Sequence, residues 1–192
     1  MERHPDTGPV DTDPALAGAL ADYEPRTARE AEDVARLHRA AATGDVWSRS
    51  SPLHITGSAV VVHPPTGRVL LRWHERMGSW LQVGGHADPG ETDPLQTARR
   101  EAAEETGLTD LAGWPDPARP PLIHVVIVPV PAGKGEPAHE HADFRYVLAT
   151  DTPDAVVAET AAARLRWLSR AEAAAAVAWD NLNETLSRLP AA

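Results

Sequence analysis

One segment, Gly84 to Leu108 (GGHADPGETDPLQTARREAAEETGL), limits what this chain can fold into more than any other part of it. Asp93 followed by Pro94 is the pattern of a helix start, with a side-chain cap and then a residue whose missing N–H is not needed. Gly107 suits the left-handed conformation in which many helices end. The sequence therefore predicts a helix between Asp93 and Gly107 whose two ends are set by local chemistry.

Three carboxylates lie on one side of this helix. At about 100° per residue, Glu101, Glu104 and Glu105 fall within an arc of about 100°. Two like charges ~4 Å apart repel by on the order of 4 kcal/mol at an effective dielectric constant of about 20. A hard divalent cation relieves this repulsion, because Mg²⁺ prefers carboxylate and water oxygens and shares its coordination with substrate phosphates. The alternative is an acidic helix face that meets only solvent.

The segment resembles the signature of the Nudix (MutT-like) hydrolase family, which is G, five residues, E, seven residues, then REUxEExGU with U aliphatic. The matching positions are Gly85, Glu91, Arg100, Glu101, Ala102, Glu104, Glu105, Gly107 and Leu108. One departure exists, because eight residues rather than seven separate Glu91 from Arg100. We place the extra residue in the turn Thr92 to Pro94, where it leaves the helix register intact.

This resemblance implies an α/β fold, an α/β/α sandwich around a mixed sheet, and metal-dependent hydrolysis of a diphosphate linkage in a small, nucleotidic substrate such as a nucleoside diphosphate linked to another moiety. The implied cofactor is Mg²⁺, with Mn²⁺ as the second choice. The implied metal ligands are Glu101, Glu104, Glu105 and the Gly84 carbonyl. The implied catalytic residues are Glu101, Glu104, Arg100 and Glu91, with an ion pair expected between the last two. Which glutamate is the general base stays open.

A further acid is expected beyond the signature helix, because related enzymes often recruit one from a later loop. The cluster His139 to Asp143 precedes a predicted strand at Phe144 to Thr150. Glu140 is the candidate metal ligand in it, and Asp143 is the second. The alternative is a polar loop whose side chains meet only water.

Arg72, Arg76 and His86 are candidate substrate-binding residues. The two arginines suit a phosphate clamp, although exposed arginines commonly have no specific role. His86 is placed to touch the metal or a phosphate, with a hydrogen bond to backbone as the alternative.

Two other functions stay open. The order His54, strand, Gly-Gly-His86, acidic helix, Glu140 also resembles isopentenyl-diphosphate isomerase, which shares the Nudix fold. That enzyme needs a cysteine two residues before the histidine, where this chain has Gly84, and the chain contains no cysteine. The isomerase is therefore the weaker alternative, and a non-catalytic module that senses nucleotide sugars is the stronger one.

Residues 1–50 are expected to form a loose tail and a helical extension, and residues 51–192 the Nudix domain. The predicted helices are Ala15 to Ala21, Thr27 to Thr43, Asp93 to Thr106, Arg170 to Val177 and Asn181 to Leu189. The predicted strands are Ile55 to His63, Arg68 to Trp73, Leu81 to Val83, Leu122 to Val130, Phe144 to Thr150 and Leu165 to Leu168. The first two strands are predicted to pair as an antiparallel hairpin.

Composition excludes several classes of protein. A formal net charge of −10 over 192 residues disfavours nucleic-acid binding. The chain has no apolar run near the roughly 18 residues of a membrane helix, and it lacks a signal peptide's apolar core. The absence of cysteine removes disulfides and thiolate metal sites. We expect a cytoplasmic protein with a small-molecule diphosphate partner, and a homodimer through the first fifty residues stays open.

Overall fold

The computed structural model describes residues 13–133, 135–160 and 163–191, and the predicted N-terminal tail lies outside them. Within these ranges, five helices and eight strands form an α/β/α sandwich. The helices are α1 (Pro14–Ala19), α2 (Ala28–Ala41), α3 (Pro94–Thr106), α4 (Arg170–Ala176) and α5 (Asp180–Ser187). The strands are β1 (Leu53–His63), β2 (Arg68–His74), β3 (Ser79–Leu81), β4 (Val83–His86), β5 (Ala112–Gly113), β6 (Leu122–Val130), β7 (His139–Ala149) and β8 (Leu165–Leu168).

The sheet is mixed, as predicted. Its order is β3-β2-β1-β7-β5, with β4 paired to β1, β6 to β7 and β8 to β2. Strands β1 and β7 run parallel, and the other pairings are antiparallel. The predicted hairpin is confirmed, because Val61 lies opposite Leu70 and a short 3₁₀ turn at Pro64–Thr66 joins the strands.

Alternation along β1 divides the core between the two faces of the sheet. Ile55 and Val61 lie in the core cluster that also contains residues of α1, α2 and α3. Val60 and Val62 lie in the second cluster, with residues of α4 and α5. The sheet is thus buried on both faces, with α1 to α3 on one side and α4 and α5 on the other.

The observed strands differ from the prediction at two places, and the short strand β5 was not predicted. A strand was expected over Leu81 to Val83, but β3 ends at Leu81 and β4 runs on through Gly84, Gly85 and His86. Glycine is depleted in strands, so the Gly84-Gly85 pair argued against a strand where β4 lies. The expectation of a loop before Phe144 is wrong, because β7 begins at His139 and pairs with both β1 and β6. Its polar residues sit in a strand because one of its faces borders a cavity.

The N-terminal helices join the main core. Both predicted helices are confirmed, and Leu16 of α1 and Leu37 of α2 are fully buried in the same cluster as the sheet residues. Glu30 of α2 forms a bidentate ion pair with Arg188 just after α5, with N–O distances of 2.7 and 3.0 Å. Among the described residues, no helix combines the length and apolar character needed to cross a membrane.

Gly57 of β1 marks the closest approach between the sheet and α3. A Cβ on Gly57 would collide with the Pro94 carbonyl and lie 2.8 Å from the Ala98 nitrogen. Gly57→Ala is therefore expected to lower the free energy of unfolding by about 3 kcal/mol, the upper end for overpacking. The matched control is Gly18→Ala in α1, where a Cβ meets nothing within 4 Å.

The control is expected to raise the free energy of unfolding by about 0.5–1 kcal/mol, because alanine has less conformational freedom in the unfolded chain. Urea denaturation of both variants measures the difference. Equal midpoints for the two variants would contradict the close packing of α3 on β1.

Candidate functional site

The signature helix α3 begins and ends where the sequence predicts. The Asp93 side chain accepts hydrogen bonds from the backbone of Leu95 and Gln96, and Pro94 is the first helical residue. Gly107 ends the helix with φ +68°. Helix α3 runs without a break from Pro94 to Thr106, so its three glutamates keep the spacing of the signature.

Glu101 and Glu105 turn from α3 toward the backbone of β4. The Gly84 N–H donates to Glu105 Oε2 over 3.1 Å. A Cβ on Gly85 would lie 2.6 Å from the Glu101 Cδ, so only glycine leaves room for that carboxylate. The Glu101 side chain is 18% exposed and the Glu105 side chain 11% exposed. Two nearly buried carboxylates therefore lie beside the Gly-Gly pair.

Burial changes the acidity of these two groups. Desolvation raises the pKa of Glu105 to about 7, against the opposing effect of Arg72. Desolvation also raises the pKa of Glu101, although the neighbouring Arg100 opposes it. Burial therefore disfavours the anionic form of both carboxylates despite their arginine partners, and a bound divalent cation would stabilise that form.

Arg100 connects the acidic helix to the loop before it. Its guanidinium pairs with Glu91 at 3.1 Å and with Glu101 at 2.8 Å, and it donates to the His86 carbonyl oxygen over 2.8 Å. The expected Glu91–Arg100 ion pair is thus present despite the additional residue between them. Arg100 holds the Glu101 carboxylate in place through these contacts.

Glu104 and Glu140 have different surroundings from the buried pair. The Glu104 side chain is 55% exposed and lies 3.4 Å from Arg100. Glu140 shares a face of β7 with the core residue Ala142 and forms an ion pair with Arg36 of α2 at 2.7 Å. Asp143, the second choice, lies on the other face of β7, which borders the cavity.

A cavity of about 1390 Å³ lies against this site. Its lining includes Glu101 together with both candidate arginines and His86. Arg72 pairs with Glu105 at 3.2 Å, and Arg76 pairs with Glu136 at 3.4 Å. The arginines thus reach the cavity wall but already have carboxylate partners there.

Asp143 and Arg145 form a buried ion pair at the edge of the cavity, and the sequence did not predict this pairing. Asp143 accepts a hydrogen bond from Arg145 Nε over 2.7 Å. It also accepts from Thr56, Ser58 and Gln82 over 2.6 to 3.0 Å. A carboxylate with this many donors is already neutralised by the protein.

Four histidines form a second cluster, and three of them line the cavity while the fourth is buried behind them. The sequence alone did not predict them as a group. They are His54 of β1, His86 of β4, and His139 and His141 of β7. The parallel register sets His54 beside His141, and His86 lies opposite Thr56, two residues along β1. One ring nitrogen from each of the four lies within 4.8 Å of the other three. Two sequence signals pointed to parts of the cluster. The order of His54 and His86 resembles the isomerase, and the alternation of His139 and His141 directs both side chains to one face of a strand.

Comparisons with known proteins agree with this architecture. A family model described as the NUDIX domain matches residues 53–189. A Lactococcus lactis protein named as a probable DHNTP pyrophosphohydrolase is 30% identical over 109 residues, which is 56% of this chain. The match spans 60% of the length of that relative.

Two solved structures resemble the fold. The E. coli dihydroneopterin triphosphate pyrophosphohydrolase has a TM-score of 0.54 at 21% identity, covering 76% of this chain and 97% of its own. A binary complex of a C. elegans Ap4A hydrolase has a TM-score of 0.54 at 20% identity, covering 70% of this chain and 93% of its own. At these identities the likeness concerns the fold.

Proposed function

The chain belongs to the Nudix hydrolase family, and from this premise we propose that it hydrolyses a diphosphate linkage in a small, nucleotide-like substrate with the help of a divalent metal ion. The observation that carries the proposal is the pair of carboxylates beside the Gly-Gly backbone of β4. Glu101 and Glu105 are nearly buried, their pKa values are raised, and Glu101 lines a large cavity.

The donor set fits a hard cation. Carboxylate oxygens of Glu101, Glu104 and Glu105 and the Gly84 carbonyl are oxygen ligands, which Mg²⁺ and Mn²⁺ prefer. A buried carboxylate with a pKa of about 7 gains more from a cation than an exposed one does. Glu140 is a weaker candidate ligand, because its carboxylate already pairs with Arg36 of α2 at 2.7 Å.

A bound divalent ion neutralises charge on the phosphate oxygens and lowers the pKa of water. Hydrolysis forms a bond from the water oxygen to phosphorus and breaks the anhydride P–O bond, and a base must accept a proton from the water. The carboxylates of Glu101, Glu104 and Glu105 share the metal-binding and proton-accepting roles. Arg100 positions Glu101 and is itself held by Glu91.

The cavity and its cations support a phosphorylated substrate. Its volume of about 1390 Å³ exceeds the ~300–1,000 Å³ of ordinary small-molecule sites. Arg72 and Arg76 line it, so substrate phosphates have two guanidinium groups within reach once those groups exchange their carboxylate partners. Trp73 also lines the cavity, and the Arg164 guanidinium lies 4.5 Å from its ring centroid.

The substrate class is a nucleoside or pterin carrying a phosphate chain. The Lactococcus relative is named for DHNTP, a pterin triphosphate, and the C. elegans fold relative for the dinucleotide Ap4A. Both names describe heterocycles joined to polyphosphate, which agrees with an acidic site beside a large cavity that arginines help to line.

A substrate panel tests the proposal. Nucleoside triphosphates, dinucleoside polyphosphates, nucleoside diphosphate sugars and dihydroneopterin triphosphate are incubated with the full chain, with Mg²⁺ or with EDTA, and products are followed by ³¹P NMR. Turnover of at least one compound with Mg²⁺, reduced to background by EDTA, is the expected result. Calorimetric binding of a nucleotide sugar with no product from any compound would instead identify a sensing module.

A further inference from the structure

The four-histidine cluster (His54, His86, His139 and His141) has the geometry of a metal site separate from the acidic one. The His141 Nε2 atom lies 3.1 Å from the His139 Nε2 atom and 3.2 Å from the His86 Nε2 atom. Tetrahedral zinc with Zn–N bonds of about 2.0–2.1 Å holds neighbouring nitrogens about 3.3–3.4 Å apart. Two of the nitrogen pairs are therefore already close to the edge length of a zinc tetrahedron, and all four nitrogens lie within 4.8 Å of one another.

Hydrogen bonds fix the tautomers of two of these rings. His54 Nδ1 lies 2.8 Å from the Ser51 carbonyl oxygen, and His139 Nδ1 lies 2.9 Å from the Pro137 carbonyl oxygen. A carbonyl only accepts, so each Nδ1 carries the proton and each neutral ring presents a lone pair on Nε2. Histidines that ligate metals typically donate their other N–H to such an acceptor.

The lone pair of His54 has no partner. His54 is 1% exposed, and its Nε2 makes no hydrogen bond to any described residue. A buried nitrogen without a partner is unfavourable, and most are satisfied in folded proteins. The three other rings of the cluster stand around it, with centroids 4.9 to 5.3 Å away.

The ring nitrogens of the cluster converge on one point. One nitrogen from each of the four histidines lies within 4.8 Å of the other three. A cation placed among them would give the buried His54 Nε2 the partner that it lacks.

We propose that His54, His86, His139 and His141 bind one Zn²⁺ ion per chain. Imidazole nitrogen is a borderline donor that selects zinc over Mg²⁺, which prefers oxygen. The ion would join β1, β4 and β7 at one end of the sheet. Because β4 also carries Gly84 and Gly85, zinc binding would fix the backbone against which Glu101 and Glu105 rest.

Zinc titration of metal-free protein tests the proposal. The full chain is stripped with a chelator and titrated with Zn²⁺ by calorimetry, with bound metal counted by elemental analysis. We expect one tightly bound zinc per chain and a higher melting temperature with zinc. Cobalt substitution is expected to give the intense visible spectrum of four-coordinate Co²⁺ rather than the weak spectrum of a six-coordinate ion.

Variants locate the ion. His139→Ala and His141→Ala remove partly exposed ligands and are each expected to weaken zinc binding by more than about 100-fold, since changing even a residue that only orients a metal ligand costs 10–100-fold. His63→Ala removes a histidine of β1 that contacts Thr66 outside the cluster, and it should bind zinc normally. Glu105→Gln should also bind zinc normally, which separates this site from the proposed hydrolytic one.

Several results would overturn the proposal. Zinc binding that survives in both histidine variants while their circular dichroism is unchanged places the ion elsewhere. Zinc binding lost in Glu105→Gln but not in the histidine variants assigns the ion to the acidic site. If the unmodified chain binds less than one zinc ion per chain in the titration, the proposed site does not exist.

Discussion

Glu105→Gln is expected to lower the Mg²⁺-dependent kcat/KM by about 10²- to 10⁴-fold, the range for loss of a proton-accepting group. Glutamine keeps the shape of the side chain and can still accept from the Gly84 N–H, but it offers no anionic oxygen to a cation or a proton. Initial rates at saturating Mg²⁺, with the substrate that the panel identifies, measure the loss.

Stability distinguishes this loss of activity from misfolding. Burial raises the pKa of Glu105 to about 7, so above that pH the folded protein holds a charge that its surroundings disfavour. Removing the charge should leave the melting temperature of the metal-free protein unchanged or higher. Glu32→Gln on α2, an exposed glutamate paired only with Arg39 among the described residues, is the activity control. A Glu105→Gln enzyme with undiminished turnover would remove the proposed role of that carboxylate.

The second large effect concerns stability. Glu30→Ala is expected to lower the free energy of unfolding by about 3–5 kcal/mol, because it leaves Arg188 charged and buried. The Glu30 and Arg188 side chains are 1% and 5% exposed, and they join the N-terminal helix α2 to the end of α5. Arg188 keeps a contact to Glu184, whose side chain is far more exposed.

The same helix supplies the control for this measurement. Glu32 lies two residues from Glu30 and pairs with Arg39 at 2.6 Å, but both side chains are more than 60% exposed. Glu32→Ala is expected to change stability by at most about 1 kcal/mol, since water screens exposed ion pairs. Urea unfolding of the two variants gives the comparison. Similar small losses in both would show that α2 does not depend on the buried pair.

The parts of the fold that the sequence predicted are those set by local chemistry. The bounds of helix α3 were predicted correctly because Asp93, Pro94 and Gly107 set the helix ends through contacts with residues close to them in sequence. The hairpin of β1 and β2 likewise follows from two apolar runs and the turn between them. The three signature glutamates were found because their spacing along one helix already fixes their relative positions.

The rest depends on pairing between distant segments. His54 and His141 are 87 residues apart and become neighbours only through the parallel register of β1 and β7. Nothing in the local sequence around His54 indicates that register. Glu140 and Asp143 are both acids in one polar run, so the local sequence does not distinguish them. Only the alternation along β7 shows that they face opposite sides of the sheet.

The hydrogen bonds between the N-terminal segment and β6 have a consequence for self-association. Strand β6 pairs only with β7 among the described strands, so no strand accepts from the backbone N–H groups along its outer edge. The Tyr23 hydroxyl accepts from the Val125 N–H over 2.8 Å, and the Asp33 carboxylate accepts from the Ile127 N–H over 3.0 Å. These two side chains occupy the positions that a foreign strand would need in order to extend the sheet. A shortened chain that lacks them would offer a bare template for intermolecular strand addition, so trimming the protein to its catalytic region risks aggregation that the intact chain resists.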